Sequence, residues 1–294
     1  MEPHFGPAGN AESFYACGLK DSVHMPGWLQ DRGLTAYEYQ CSRGVHVGEA
    51  TARRIGQKAA SAEIVLSIHA PFFINMATDD VIIRQNSKRH MEKSLQVASW
   101  MGAGKIVFHP GGTRLGREVS LNNALRFLDE VLGETEEYKD VLLAPETMGK
   151  RNQLGSDITE VLTLCKLSPR VVPTVDFAHF HAMTGGGLIT KSNYLTVLWQ
   201  IGEALGDKVL QQLHIHFSPI EFTKAGEKRH RTFLERDFGP PFAPLAEAII
   251  DLGLTPTIIC ESAGRQAEDA LIMKQIYAQK RMTMRQSETG SPNE

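Results

Sequence analysis

The chain has no apolar run approaching the ~20 residues that a membrane-spanning helix needs, so a helical membrane protein is not expected. Its opening, Met1-Glu2-Pro3-His4-Phe5-Gly6, has neither the basic nor the apolar segment of a secretory signal. Cysteine is scarce. The four cysteines stand at 17, 41, 165 and 260 with no C-x-x-C pair. That spacing argues against a disulfide framework or a cysteine zinc knuckle, and it fits a reducing cytoplasmic setting. No charge of one sign dominates: 31 basic and 34 acidic residues leave a net charge of -3. A nucleic-acid partner would therefore need a local basic surface rather than a global field. Low-complexity linkers and repeats of fixed period are absent too. The 294 residues are 42% hydrophobic and 22% charged, enough for a substantial core and incompatible with wholesale disorder. The one unusual abundance is eleven histidines.

What recurs along the chain is a short apolar run followed by a longer amphipathic stretch. The runs are 4–6, 36–39, 64–68, 105–108, 141–144, 171–175, 210–215 and 257–260. They have strand length and are largely β-branched or aliphatic, as buried parallel strands are. Helical patterns fall at 47–60, 80–102, 121–133, 157–166, 193–205, 243–252 and 266–279. Ser120 and Asp157 stand near helix starts, and Gly102 and Gly253 near helix ends. Residues 7–25 read as a loop. Eight strands alternating with helices predict one α/β domain, a (β/α)8 TIM barrel over residues 1–284, followed by a polar tail at 285–294.

Polar residues at the strand ends carry the chemistry. Strand three runs out through His69-Ala70-Pro71, strand four through His109-Pro110-Gly111, and strand five through Pro145-Glu146. Strand six ends Asp176-Phe177-Ala178-His179, strand seven His214-Ile215-His216, and strand eight Cys260-Glu261. In a barrel these ends share one face, where the chemistry of this architecture sits. One strand-end histidine or glutamate is commonly structural. Six strands delivering such groups to one rim would leave carboxylates and imidazoles unsatisfied unless a divalent cation neutralised them. Mixed imidazole and carboxylate ligands suit zinc, manganese or iron. There are too many ligands for one tetrahedral ion, so a cluster is expected, with Glu146 and Glu261 bridging. Two ions about 3.5–4 Å apart would clamp the attacking and leaving oxygens of a phosphoryl group.

These residues, in this order from about Tyr37 to Glu261, resemble the endonuclease IV family, zinc-dependent abasic-site endonucleases with a TIM-barrel fold. The resemblance rests on His69-Ala70-Pro71, His109-Pro110-Gly111, Pro145-Glu146-Thr147, Asp176-x-x-His179, His216 and Cys260-Glu261-Ser262. It implies two or three zinc ions per chain, with manganese or iron as alternatives. His69 and His109 would hold one, Asp176 and His216 a second, and His179 and His230 a third. Glu146 and Glu261 would join the first two and serve as the catalytic carboxylates. The implied reaction is DNA-repair hydrolysis of duplex DNA on the 5′ side of an abasic site, leaving a 3′ hydroxyl and a 5′ deoxyribose phosphate. The implied protein is monomeric, with no membrane partner.

The chain departs from the family at two places. Lys228, in Glu227-Lys228-Arg229-His230, stands where the family has an aspartate ligand. Either Glu227 replaces it, or the third ion is weakened or lost. His216-Phe217-Ser218-Pro219 lacks the family's Asn-Asp pair. His214, one inward layer below His216, is expected to hydrogen-bond behind the ligands rather than bind metal. For DNA, the resemblance points to Arg43 after strand two and to Phe72 and Phe73 after strand three as wedges. Lys150 and Arg229 lie in basic clusters suited to phosphate. A second function fits the same barrel: a metal-dependent sugar isomerase or epimerase would need only Glu146, Asp176, His216 and Glu261 around one ion. It would have no use for His69, His109, His179 and His230.

Overall fold

The computed structural model describes residues 2–289, with side chains to residue 286. Among the described residues, eight parallel strands form the wall of a TIM barrel. They are β1 (His4–Pro7), β2 (Ala36–Gln40), β3 (Val65–His69), β4 (Lys105–Phe108), β5 (Leu142–Pro145), β6 (Thr174–Asp176), β7 (His214–Phe217) and β10 (Thr257–Cys260). Between β7 and β10 an antiparallel hairpin, β8 (Ile220–Thr223) and β9 (Gly226–His230), stands over the rim. The ladders form two four-stranded arcs, β1-β10-β7-β6 and β2-β3-β4-β5. Single bridges join them, Ala8 to Glu38 on one seam and Glu146 to Thr174 on the other. At the first seam, a Cβ on Gly6 would lie 1.8 Å from the Ala36 carbonyl oxygen. Only glycine lets β1 come that close to β2.

The helices follow the strands. The short α1 (Glu12–Ala16) and α2 (Met25–Gln30) lie between β1 and β2. Then come α3 (Glu49–Ser61), α4 (Val81–Met101), α5 (Arg117–Glu134), α6 (Ile158–Cys165), α7 (Phe177–Met183), α8 (Lys191–Leu205), α9 (Asp207–Gln211), α10 (Phe242–Asp251) and α11 (Gln266–Thr289). Their inner faces follow helical spacing: Met91, Leu95 and Ala98 in α4, and Ala124, Leu128 and Val131 in α5, are all buried. Each fully buried Leu or Phe of this layer contributes about 1.5–3 kcal/mol. Asp80 caps α4 by accepting from the Ile82 and Ile83 amides, and Gly102, at φ 67°, ends it.

Several boundaries differ from the sequence expectation. The 7–25 segment contains α1 and a 3-10 turn at Ser22–His24 rather than plain loop. The run expected at 210–215 starts inside α9, so β7 begins only at His214. The run expected at 171–175 pairs as a strand only from Thr174. Helix α5 begins at Arg117, ahead of Ser120. The final helix passes its expected end at 279 and continues to Thr289, while residues 290–294 of the expected tail lie outside the described residues. No helix among the described residues is long and apolar enough to cross a membrane.

Candidate metal centre at the mouth of the barrel

Parallel register brings the strand-end side chains to one level. In the ladders His69 pairs with Val107, Asp176 with His216, and His216 with Ile259, so the ligand-type residues rise together at the C-terminal rim. Glu146, 1% exposed, is the hub. Its Oε2 lies 3.2 Å from both His69 Nε2 and His109 Nε2, and its Oε1 lies 3.3 Å from His216 Nδ1 and 3.4 Å from His179 Nδ1. Glu261 Oε1 lies 3.5 Å from His216 Nδ1, and its Oε2 lies 3.7 Å from His230 Nε2. Four sets of donor atoms each fall within 4.8 Å of one another: His69, His109 and Glu146; Glu146, Asp176, His216 and Glu261; Asp176, His179 and His230; and, one layer down, Glu38, His214 and His216.

The Asp-x-x-His spacing has a local cause. Asp176 is the N-cap of α7, and its Oδ1 accepts from the His179 amide at 2.8 Å. That bond places His179 one turn on, on the same inward face. It also leaves Asp176 Oδ2 buried with no hydrogen-bond partner. A buried carboxylate oxygen left bare is costly, and among these imidazoles it is a donor atom suited to a cation.

Three of the imidazoles are oriented from behind. His69 Nδ1 donates to the Ala70 carbonyl at 2.8 Å, and His179 Nδ1 to the Thr147 carbonyl at 2.9 Å. His230 Nδ1 meets Ser218 Oγ at 2.7 Å. Their Nε2 atoms thus face the centre, as ligating imidazoles are held. Among themselves the groups are strongly polarised. Burial pulls the His69 imidazole down, but Glu146, with Glu38 and Glu261 nearby, more than offsets it and lifts it to about 9. His179 reaches about 9 in the same way, against its burial, through Asp176, Glu146, Glu227 and Glu261. Burial, reinforced by the charges of Glu146 and Asp176, pushes the Glu261 carboxyl up to about 8. Glu146 is held well below the usual carboxylate range by His216, His109 and His69, despite its burial.

The hairpin turns Lys228 and Glu227 to opposite sides. Lys228 turns away and joins Arg229 and Arg231 around Glu221. Glu227 turns inward instead, with Oε2 3.5 Å from His179 Nε2 and Oε1 4.0 Å from His230 Nε2. Gly149 permits this: a Cβ there would lie 2.7 Å from His179 Cδ2 and 2.8 Å from Glu227 Cβ. The Gly149 carbonyl also accepts from the Glu227 amide at 2.7 Å.

The site opens into a cleft of about 540 Å³ whose walls include His69, His109, Glu146, Glu227, Phe72 and Lys150. Phe72, 59% exposed, packs edge-on to Phe73, which leans on His90 of α4. Arg43 is exposed on the loop after β2 and lies outside the cleft wall. Arg229 also lies outside it, with its guanidinium committed to Glu221. A larger cavity, about 590 Å³, sits at the opposite end of the barrel, beside Lys105, Cys165 and His214 at the start of β7.

Sequence reading passed over two participants, Ser218 and Glu38. Glu38, in the middle of β2, is fully buried and accepts from Ser67 Oγ at 2.8 Å, with His214 Nε2 at 2.9 Å and His216 Nε2 at 3.1 Å. The signal was a lone acid inside the aromatic run Ala36-Tyr37-Glu38-Tyr39. His214, expected to hydrogen-bond behind the ligands, does so through Glu38.

Comparison with known proteins agrees with this architecture. The sequence pattern of the family described as xylose isomerase-like TIM barrel matches residues 26–282. The chain belongs to that family. An uncharacterized protein of Methanocaldococcus jannaschii is 32% identical over 272 residues, 92% of this chain and 95% of its own length. A probable endonuclease 4 of Mycoplasma genitalium is 30% identical over 171 residues, 56% of this chain and 55% of its own length. The chain thus matches about half the length of that relative. Among solved structures, endonuclease IV from Thermus thermophilus superposes with a TM-score of 0.69 at 17% identity, covering 96% of this chain and 98% of that one. A D-tagatose 3-epimerase-like protein superposes with a TM-score of 0.66 at 19% identity, covering 86% and 91%. At these identities the two structures speak for the fold alone.

Proposed function

We propose that this protein is a metal-dependent endonuclease that cleaves duplex DNA on the 5′ side of abasic sites, leaving a 3′ hydroxyl and a 5′ deoxyribose phosphate. The observation that carries the reading is the surplus of ligands. Glu146, Asp176, His216 and Glu261 already make a complete set for one ion. His69, His109, His179, His230 and Glu227 surround that set with further donors that a single ion does not use. The similarity to the probable endonuclease 4 of Mycoplasma genitalium points the same way.

The donor set suits zinc, with manganese or iron as alternatives. When bound, such ions supply Lewis acidity at a phosphodiester and lower the pKa of water near them. The chain's own groups do the rest. His69 and His109 with Glu146 would hold one ion, and Asp176 and His216 a second, shared through Glu146 and Glu261. His179, His230 and Glu227 would hold the third. Phe72, at the cleft wall, is placed to fill the gap beside an abasic sugar, with Phe73 buttressing it. Lys150 lines the cleft and would offer a phosphate contact, and Arg43, exposed on the loop after β2 outside the cleft wall, would offer another. Arg229 has a smaller part, since Glu221 already neutralises it.

Epimerisation of a ketose is the second reading, favoured by the compactness of the four-residue set on β5, β6, β7 and β10. An end-labelled duplex carrying one abasic analogue separates the two. The expected outcome is a single incision 5′ to the lesion in zinc-replete protein, abolished by chelation. No incision together with turnover of a ketohexose would reverse the assignment.

A further inference from the structure

We infer that Glu38 is a positioning residue that fixes the tautomer of His216, so that Nδ1 rather than Nε2 is presented to the metal centre. The inference rests on the metal-binding part of the proposed function and not on its substrate. His216 is the exception among the imidazoles around Glu146. His69 and His179 are anchored through Nδ1 to backbone carbonyls and turn Nε2 inward. His216 does the reverse: Nε2 points down the barrel to Glu38 Oε1 at 3.1 Å, and Nδ1 faces Glu146 at 3.3 Å and Glu261 at 3.5 Å.

A carboxylate can only accept hydrogen bonds, and Glu38 is surrounded by donors. Ser67 Oγ donates to Oε2 at 2.8 Å, and His214 Nε2 lies 2.9 Å from the same oxygen. Both imidazoles must therefore carry a proton on Nε2, so the neutral His216 that a cation requires has its lone pair on Nδ1. His214 behaves consistently, since its Nδ1 is buried with no hydrogen-bond partner. This leaves it one protonated nitrogen, directed at Glu38. Glu38 and His214 are 0% and 1% exposed, so no water competes for these bonds. The trio also reaches toward the far end of the barrel, where His214 borders the 590 Å³ cavity. It is therefore a column of support from below rather than part of the mouth.

The arrangement makes Glu38→Gln a specific probe. An amide of the same shape presents an N–H to one of its neighbours. With one acceptor oxygen in place of two and no charge, the amide no longer holds a proton on both Nε2 atoms, and the Nδ1-protonated tautomer of His216, which cannot ligate from Nδ1, becomes accessible. On the full-length chain, zinc affinity is measured by competition with a chromophoric chelator. Glu38→Gln is expected to weaken the tightest-held ions about 10–100-fold, and His214→Leu to weaken them less. In Glu38→Gln combined with His216→Ala, the affinity is expected to match that of His216→Ala alone, because both changes act through one ligand. A second measurement needs no variant. Nitrogen-15 NMR of histidine-labelled, zinc-loaded wild-type protein is expected to show His216 with Nε2 protonated and Nδ1 unprotonated. A His216 protonated on Nδ1, or a Glu38→Gln protein with wild-type zinc affinity, overturns the inference. If His216→Ala itself leaves the ion count and affinity unchanged, His216 is no ligand, and both the inference and that part of the proposed function fall. That outcome differs from insensitivity at Glu38 alone.

Discussion

Two regions of the barrel mouth hold similar side chains in different proportions. The inner region, from β5, β6, β7 and β10, sets three carboxylates against one imidazole: Glu146, Asp176 and Glu261 around His216. The outer region, from β3, β4, α7 and the hairpin, sets four imidazoles against one carboxylate: His69, His109, His179 and His230 with Glu227. The inner region can serve a single ion by itself, in isomerase and nuclease alike. Only the outer region distinguishes them. Two of its imidazoles, His69 and His179, are raised to about 9 and offset negative charge of the inner set, and all four offer donors for further ions. Glu146 belongs to both regions, so it is where the comparison breaks most sharply.

Glu146→Gln is expected to have the largest effect. It should lower incision by at least about 10³-fold and reduce the ions held per chain, with the circular dichroism of the barrel unchanged. Removing one outer imidazole, His69→Ala or His109→Ala, should cost about 10²-fold in incision and one ion, measured by single-turnover kinetics and elemental analysis. If either variant keeps full activity, the outer region has no chemical part. Glu227→Gln should act on the third ion alone, weakening it about tenfold while the other two stay. Lys228→Ala should leave the ion count unchanged, because Lys228 points to Glu221 and not to the site.

When metal is stripped, the two regions respond to pH in the same direction. His69 and His179, lifted to about 9 from 6.5, stabilise the fold fully below pH 6.5 and lose that contribution as pH climbs through 9. Glu261, pushed up to about 8 from 4.5, loses its contribution between those values. All three changes have one sign. The melting temperature of chelator-treated protein should fall between pH 7 and 9.5, on the order of a few °C, while zinc-loaded protein holds its value. Smallest of all, Lys150→Ala should raise the KM for abasic duplex without changing the ion count. It should also reduce the slope of log affinity against log salt by about 1.

The barrel was legible in the sequence because its strands are short aliphatic runs and its inward layer ends in polar residues. The strand-end candidates could be read for the same reason, since an isolated His, Asp or Glu closing an apolar run stands out, whereas His230, amid charged residues, came only from the family resemblance. Glu38 does not close a run, and its partners His214 and His216 lie 176 and 178 residues away, so its place as a lone acid between Tyr37 and Tyr39 did not by itself tie it to the site. The hairpin was missed because its strands are rich in charge, with Glu221, Lys228 and Arg229 on them, and show no apolar alternation. That omission also hid why Glu227 can face the site while Lys228 cannot. Adjacent residues on one strand point to opposite sides. The overlong run at 210–215 had a simpler cause. Leu210 is buried as part of α9 and Leu213 in the turn after it, so apolar character alone did not mark where β7 starts.

The number of divalent ions bound per chain bears most directly on whether the outer region adds metal sites to the inner one. Elemental analysis of zinc-saturated, gel-filtered protein is expected to give three ions per chain, falling to two in Glu227→Gln purified under limiting zinc. A single ion in the saturated wild-type chain would contradict the account and leave the four outer imidazoles without the role assigned to them.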